Sequence, residues 1–319
     1  MEETEVLERL GFEVQRSLQS RGDVSVWEAS YRGQPVVLKC MRWGNNYNLH
    51  NAFLEEALAQ HQLSHPHICK MLGLRVCDLG LVIVLEHMQS DLKVYLASQQ
   101  TPLDEANLWL LLKQITGALA YAQTQVSAKQ NVAHRDVKPQ NILRSAEGRW
   151  VLCGFGNAKT VNFGEDEHTM VGTPLFISPQ LRQNFGRSDF AQYNPFKSDV
   201  YSLGLSLYYA ATLQEPQVLA VQKNLQETTQ TVVSSLPCSE SLKRVLIYML
   251  QVEEADRPDF LQLQNYLELE SQRQTLNVSS QSMGGRCTEC NEPLRSNYYV
   301  AKCGHRFCGR CKGSSHECH

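Results

Sequence analysis

The sequence predicts an α+β protein with a β-rich lobe first, a helical lobe second and a small, separately stabilised module at the C-terminal end. Three observations carry this. Before about residue 100 the chain alternates apolar and polar residues with a strand period, or runs as β-branched stretches. From about Leu103 the apolar spacing becomes helical. Of the eleven cysteines, six fall between Cys287 and Cys318, while Cys40, Cys69, Cys77, Cys153 and Cys238 stand singly.

Taken in order, "MEETEVLERL" is acidic and amphipathic, without the basic flank and apolar centre of a secretory signal. "EVQRSLQ" and "VSVWEASY" alternate as strands, and "QPVVLKCM" is a β-branched run opened by a proline suited to an edge start. Residues from about Asn51 to Leu63 follow a helical pattern that Pro66 in "SHPH" ends. "LGLVIVL" at 79–85 is far too short to cross a bilayer. "DEANLWLLLKQITGALAYAQ", "DVYSLGLSLYYAATL" and "ESLKRVLIYMLQ" then read as helices, and two such lobes in one chain leave a cleft between them. "SQRQTLNVSSQSMGG", polar and Ser/Gln-rich, reads as a flexible linker. The expected division is a large domain over 10–268, a linker over 269–286 and a small module over 287–319. A net charge of −3 gives no pull toward nucleic acid or anionic lipid, so neither is an expected partner. The expected location is cytoplasmic, with the nucleus as the other reducing compartment in which scattered cysteines stay free.

The order of short motifs resembles a eukaryotic protein kinase domain, and everything in this paragraph is what that resemblance implies. The fold would be bilobal. "VVLK" places Lys39 as the phosphate-binding lysine, and "FLEEALAQHQLSHPHI" places Glu56, rather than Glu55, as its partner. "VLEHM" is the hinge, offering backbone groups of Glu86 and Met88 to adenine, with Leu85 guarding the inner pocket. Leu18, Val26, Val37 and Leu143 would enclose the base. "HRDVKPQN" gives Asp136 as catalytic base, Lys138 as phosphate contact and Asn141 as magnesium ligand. That lysine, and Thr173 in "GTP", resemble the serine/threonine class. Asp199 in "KSDVYSLG" and Arg257 in "ADRPDF" are scaffold positions. Thr169 sits where activation-loop phosphorylation occurs, with Arg135 the matching cation, though a solvated loop threonine reads equally well.

Four departures bear on activity. "GFG" puts Gly154 where the family has the aspartate that holds magnesium. With Asn141 alone, the metal's protein contacts fall to one neutral amide. The loss is several kcal/mol of transition-state stabilisation, on the order of 10³-fold or more in rate. The three phosphate-loop glycine positions are Gln19, Arg21 and Val24, with only the off-register Gly22 remaining, although Arg21 could itself touch phosphate. Val37 stands where the family has alanine, an overpacking that costs ~1–3 kcal/mol in a tight slot. Gln180 in "SPQ" replaces the glutamate that pairs with Arg257. Gln60, one turn beyond Glu56, faces inward where the family packs an apolar residue.

The C-terminal stretch "CTECNEPLRSNYYVAKCGHRFCGRCKGSSHECH" has Cys-x2-Cys, twelve residues, then Cys-x-His-x2-Cys-x2-Cys. Each short pair makes a chelating turn for tetrahedral zinc, the other reading being a reactive dithiol. "CGHRFCGRC" resembles a RING finger, particularly that of TRAF-type ubiquitin ligases. Cross-brace order would then put one zinc on Cys287, Cys290, Cys308 and Cys311. The second would sit on Cys303 and His305 with partners from His316, Cys318 and His319. The match is imperfect: a complete RING carries a further Cys-x2-Cys after a longer stretch, and Glu289 occupies a position usually aliphatic, so the pattern points more strongly to zinc binding than to ligase activity, with a truncated gene product as a further reading. His50, His61, His65, His67 and His87 lack cysteine partners and read as structural.

The first reading is thus a pseudokinase scaffold or regulator with a zinc-binding RING-like tail, weak or absent magnesium binding, and ATP as the conceivable nucleotide. Its partners would be signalling proteins through the kinase-like domain and a ubiquitin-conjugating enzyme through the tail. The alternatives are a weakly active ATP-dependent serine/threonine protein kinase, and a RING-type ubiquitin ligase whose kinase fold recruits substrate.

Overall fold

A computed structural model describes residues 2–44, 47–124, 131–161, 172–183, 192–219, 224–282, 298–300 and 306–308, with side chains left aside at 159–161 and from 274 onward. The chain divides into two compact units, 1–264 and 265–319.

The first unit opens with a short helix α1 (Glu3–Arg9), then strands β1 (Phe12–Arg21), β2 (Val24–Tyr31) and β3 (Gln34–Arg42). Helix α2 (Tyr47–Gln62) leads to β4 (Met71–Cys77) and β5 (Gly80–Glu86). These strands form one antiparallel sheet in the order β1-β2-β3-β5-β4. Alternation decides its two faces. Leu38, Cys40, Val82 and Val84 turn to one side and bury Leu7 of α1, while Met41, Leu81 and Ile83 turn to the other and bury Phe53 and Ala57 of α2. Helix α1 therefore packs as part of this lobe. Leu7 is fully buried, and the Glu3 carboxylate accepts from Ser25 Oγ at 2.5 Å and from Arg42 Nη2 at 2.9 Å.

The helical lobe follows. A short strand β6 (Ser90–Asp91) leads into α3 (Leu92–Gln99), whose first turn is capped by Asp91 accepting from the Val94 amide at 2.8 Å. Helix α4 (Glu105–Thr124) buries a stripe from Leu108 through Ala122. Strands β7 (Asn131–Ala133), β8 (Ile142–Arg144), β9 (Trp150–Leu152) and β10 (Lys159–Val161) are short; β8 joins β6 and β9, and β7 pairs with β10. Helix α5 (Pro179–Gln183) precedes α6 (Pro195–Thr212), which starts where an Asn-Pro pair dictates, with Asn194 capping Lys197 and proline in the first turn. Because α6 is buried on every side, it is the post on which the lobe is assembled. Helices α7 (Leu225–Ser234) and α8 (Glu240–Met249) pack beyond it.

The next helix, α9 (Phe260–Ser282), runs on into the second unit and corrects an expectation. The stretch 269–282 was read as flexible linker, yet its backbone is helical as far as Ser282. Its polarity hid helix formers: Gln, Leu, Glu and Arg make up half of 269–282, and no proline or glycine intervenes before Gly284. The second unit also holds a small hairpin, β11 (Tyr298–Val300) with β12 (Arg306–Cys308), pairing Tyr298 with Cys308. Of the expected zinc ligands, only Cys308 lies in a described segment; Cys287, Cys290, Cys303, His305, Cys311, Cys318 and His319 lie outside the described residues, as do Thr169 and His316. Among the described residues no group of three or more His, Cys, Asp or Glu could hold a metal ion, and no helix is long and apolar enough to cross a membrane.

Candidate active site

The cleft lies between the sheet of the first lobe and the loops that join β7, β8 and β9. On the sheet side, Lys39 sits mid-β3, where alternation sends it toward α2. Its Nζ meets both oxygens of Glu56 at 2.5 and 2.6 Å. Glu56 is buried while Glu55 is exposed, which settles the choice between them. Glu56 reaches Lys39 past a glycine: a Cβ on Gly156 would stand 2.8 Å from Glu56 Oε2.

Val26 pairs with Lys39, and Val37 pairs with Leu85 across the sheet, so the row over the base runs into the hinge at Glu86 and Met88. Met88 is buried in a cluster with Cys69 and Val151, against which Leu85, Leu143 and Cys153 pack. Leu18 lies at an irregularity in the β1–β2 pairing and is largely exposed. Gln19, Arg21 and Val24 are paired strand residues around a two-residue turn at Gly22 and Asp23, and side chains stand where phosphate-binding amides would need bare backbone.

On the opposite side the catalytic loop is held from below by α6. Asp199 accepts from the amides of His134 at 2.7 Å and Arg135 at 2.8 Å, and burial pushes its carboxyl up to about 7 against the pull of those amides. Arg135 adopts a left-handed φ of 62° there. His134 is fully buried, and burial pushes its pKa down. Its Nε2 donates to the Cys153 carbonyl at 2.8 Å, so Nδ1 is the acceptor for the Asp136 amide at 3.2 Å. Asp136 is then surrounded: Oδ2 accepts from Lys138 Nζ at 2.7 Å, and Oδ1 accepts from Thr173 Oγ1 at 2.8 Å.

Asn141 sits where a metal ligand of this loop would stand, but its amide is turned inward. Nδ2 donates to the Asp136 carbonyl at 2.8 Å and to its carboxylate at 3.2 Å. Beside it, Gly154 has φ +83°, and a Cβ there would stand 2.7 Å from Asn141 Cγ and Oδ1. The space that a side chain at 154 needs is filled by Asn141. Magnesium, implied by the resemblance, therefore does not fit these residues. Among the described residues it would find the neutral amide oxygen of Asn141 at the place where the family supplies a carboxylate beside it. The Cys153 thiol, pushed up to about 12 by burial, stays neutral and offers no soft substitute.

Gln180 does meet Arg257. Arg257 Nη2 donates to Gln180 Oε1 at 3.0 Å, and Gln180 Nε2 donates to the Val252 carbonyl at 2.8 Å. The buried guanidinium, pushed down to about 10 by desolvation, also donates to the carbonyls of Gln251, Val252 and Lys197 and lies over the Tyr201 ring. Carbonyl dipoles thus replace the missing carboxylate. Gln180→Leu, which removes one donor and one acceptor from this network, is expected to lower stability by about 1–3 kcal/mol, read from urea unfolding. A loss below a few tenths would show that the carbonyls suffice alone.

Gln60 is buried as its spacing suggested and donates from Nε2 to the Cys69 carbonyl at 2.7 Å. Sequence reasoning missed the covering of Gly154 by Asn141, which no local pattern announces.

The Protein kinase domain family matches residues 20–267. Among curated relatives, "Probable serine/threonine-protein kinase nek2" of Dictyostelium discoideum is 28% identical over 277 residues, covering 83% of this chain and 64% of its own length. "Serine/threonine-protein kinase ULK1" of Homo sapiens is 26% identical over 240 residues, 70% of this chain and 22% of that protein. "Dual specificity mitogen-activated protein kinase kinase mek-1" of Caenorhabditis elegans is 28% identical over 193 residues, 60% of this chain and 53% of its own. The chain thus spans less than two thirds of the length of each of these relatives. A match that runs from the β1–β2 hairpin into α9 takes in both lobes and the cleft between them, and on that ground the chain belongs to the protein kinase domain family.

Proposed function

We propose that this chain is a kinase-fold signalling protein impaired in phosphoryl transfer, a pseudokinase that acts as scaffold or regulator. One observation carries the reading. At position 154 there is no side chain, and the adjoining Asn141 amide occupies the space where one would begin. Positioning groups without a metal carboxylate can hold a nucleotide yet cannot neutralise the charge that develops on the transferred phosphoryl. ATP would be held by Lys39 and Lys138 at its phosphates and by the hinge at its base. The hairpin lacking phosphate-loop glycines, and Val37 against the ring, act in the same direction.

A second reading keeps a weakly active serine/threonine kinase, favoured by the closed Lys39–Glu56 pair and by the Asp136–Lys138–Thr173 contacts. The third, a ubiquitin ligase that recruits substrate through the kinase fold, rests on the Cys/His spacing of the tail. In the first reading that tail binds zinc and docks a ubiquitin-conjugating enzyme or another signalling protein in the cytoplasm.

Radiolabelled phosphotransfer to a generic serine/threonine substrate separates the first two. The expected rate is on the order of 10³-fold below that of an intact kinase, and Asp136→Asn changes it little. Robust magnesium-dependent turnover abolished by Asp136→Asn would replace the first reading with the second.

A further inference from the structure

The hinge carries a histidine whose partner lies on a different element. His87, between the two hinge residues Glu86 and Met88, places Nε2 2.9 Å from Glu28 Oε1 on β2. The other oxygen of the same carboxylate accepts from Arg16 Nε on β1. Glu28 is 16% exposed and His87 26%, so this is a partly buried bridge at the edge of the cleft, where ion pairs are screened less than on open surface. The bridge follows the sheet. Arg16 stands directly opposite Glu28, Glu28 opposite Val37, and Val37 opposite Leu85, two residues before His87. Glu28, Val26, Val37 and Lys39 share one face, because Glu28 and Val26 alternate in step and pair with Val37 and Lys39.

The position matters because β1 is bent here. Its pairing with β2 shifts between Val14 and Arg16 and again between Ser17 and Gln19, so the strand that roofs the base is freed from a regular ladder on both sides of Arg16. Without phosphate-loop glycines the hairpin has little backbone means of closing on a nucleotide. A side-chain tie to the hinge supplies another. The charged groups that the hydrogen bonds bring to this place are Glu28 from β2, Arg16 from β1 behind it, and Glu86 on the hinge itself. The Glu86 carboxylate is already engaged by the Lys70 amide at 2.6 Å. The Arg16 guanidinium, with burial opposing and His87 assisting, holds the Glu28 carboxyl below its usual range, so Glu28 stays ionised.

We propose that Glu28 and His87 are positioning residues that fasten the β1–β2 hairpin to the hinge, so that protonation of His87 tightens the roof of the nucleotide cleft. With His87 neutral and its proton on Nε2, the bond to Glu28 is an uncharged hydrogen bond and Arg16 is the one cation on that carboxylate. With His87 charged, the bond becomes an ion pair, and one carboxylate ties β1, β2 and the hinge more tightly. The effect on nucleotide rests on the reading of this cleft as an ATP site; the tie itself does not.

The test uses the full chain with Glu28→Gln, His87→Leu and His87→Arg. Hydrogen-exchange protection factors at the amides of 16–21 and 86–88, and affinity for ATP in EDTA, are measured at pH 5.5 and pH 8. In the unaltered protein protection is expected to be about two- to fivefold greater at pH 5.5, the size of a partly exposed ion pair. His87→Arg is expected to hold the higher value at both pH values, which a merely structural ring would not allow, while Glu28→Gln and His87→Leu hold the lower. ATP affinity follows the same order. The same pH response in His87→Leu, or none in the unaltered protein, overturns the proposal. Protection that follows the pattern while ATP fails to bind at either pH upholds the tie and rejects the nucleotide reading.

Discussion

Chelation of zinc from the purified chain is expected to unfold residues 287–319 and to leave the melting temperature of the kinase domain unchanged. Thirty-three residues, nine of them Cys or His, have too little apolar surface to fold alone, so the expectation is that metal binding supplies the folding free energy. For a tetrahedral site of thiolates and imidazole that is on the order of 10 kcal/mol. Two sites of unequal strength are expected. Cys287, Cys290, Cys308 and Cys311, as two Cys-x2-Cys pairs, are expected to bind first. Cys303 and His305, with partners from His316, Cys318 and His319, are expected to bind more weakly, because those partners offer no second Cys-x2-Cys pair. The kinase domain is expected to keep its stability because, among the described residues, the buried core runs from Val6 to Leu267 and uses none of these ligands. Elemental analysis with a chelator-coupled thermal scan reads both outcomes. Zero zinc per chain removes the module, and with it every docking or ligase role assigned to the tail.

Gly154→Asp is expected to fail as a rescue and to cost about 1–3 kcal/mol, because it places a Cβ at positive φ against Asn141. For the new carboxylate to reach a metal, Asn141 must swing out and abandon its bonds to Asp136. Even then the hairpin and Val37 remain as they are. Phosphotransfer therefore stays near the level of the unaltered protein, and the loss is read as a lower urea midpoint. A Gly154→Asp variant that is as stable as its parent and turns over at kinase rates would show that one missing carboxylate is the whole deficit.

Much of the fold was legible because its signals are local. A β-branched run places Lys39, the apolar run from Asp199 marks the body of α6 though not its start at Pro195, and the catalytic-loop motif carries its own order. The candidate site was legible for the same reason, since Lys39, Glu56, Asp136 and Asn141 each sit in a short quotable stretch. What stayed hidden depends on packing between distant segments. The stretch that becomes α1 was legible as acidic and amphipathic, but not the sheet face that receives Leu7, because that face is built from later strands. The helical course of 269–282 was hidden because polarity suggests a linker, whereas propensity, with no glycine or proline before Gly284, favours a helix. His87 read as one structural histidine among several, because its partner lies 59 residues away on β2. That Gln180 stands in place of a carboxylate partner for Arg257 was visible, but not the carbonyls of Gln251, Val252 and Lys197 that compensate for it.

The lost magnesium site is the central claim, and nucleotide binding measured with and without the metal tests it most directly. Isothermal titration of ATP into the full chain, once with magnesium and once with EDTA, separates the cases. Lys39, paired with Glu56, survives as the main charged contact for phosphate, while Gly154 and the inward-turned Asn141 leave the metal little to hold. The expected result is binding in EDTA that magnesium changes by less than about threefold, a difference below 1 kcal/mol. Binding that appears only with magnesium, or strengthens by more than about tenfold, would contradict the account and restore a working metal site to this cleft.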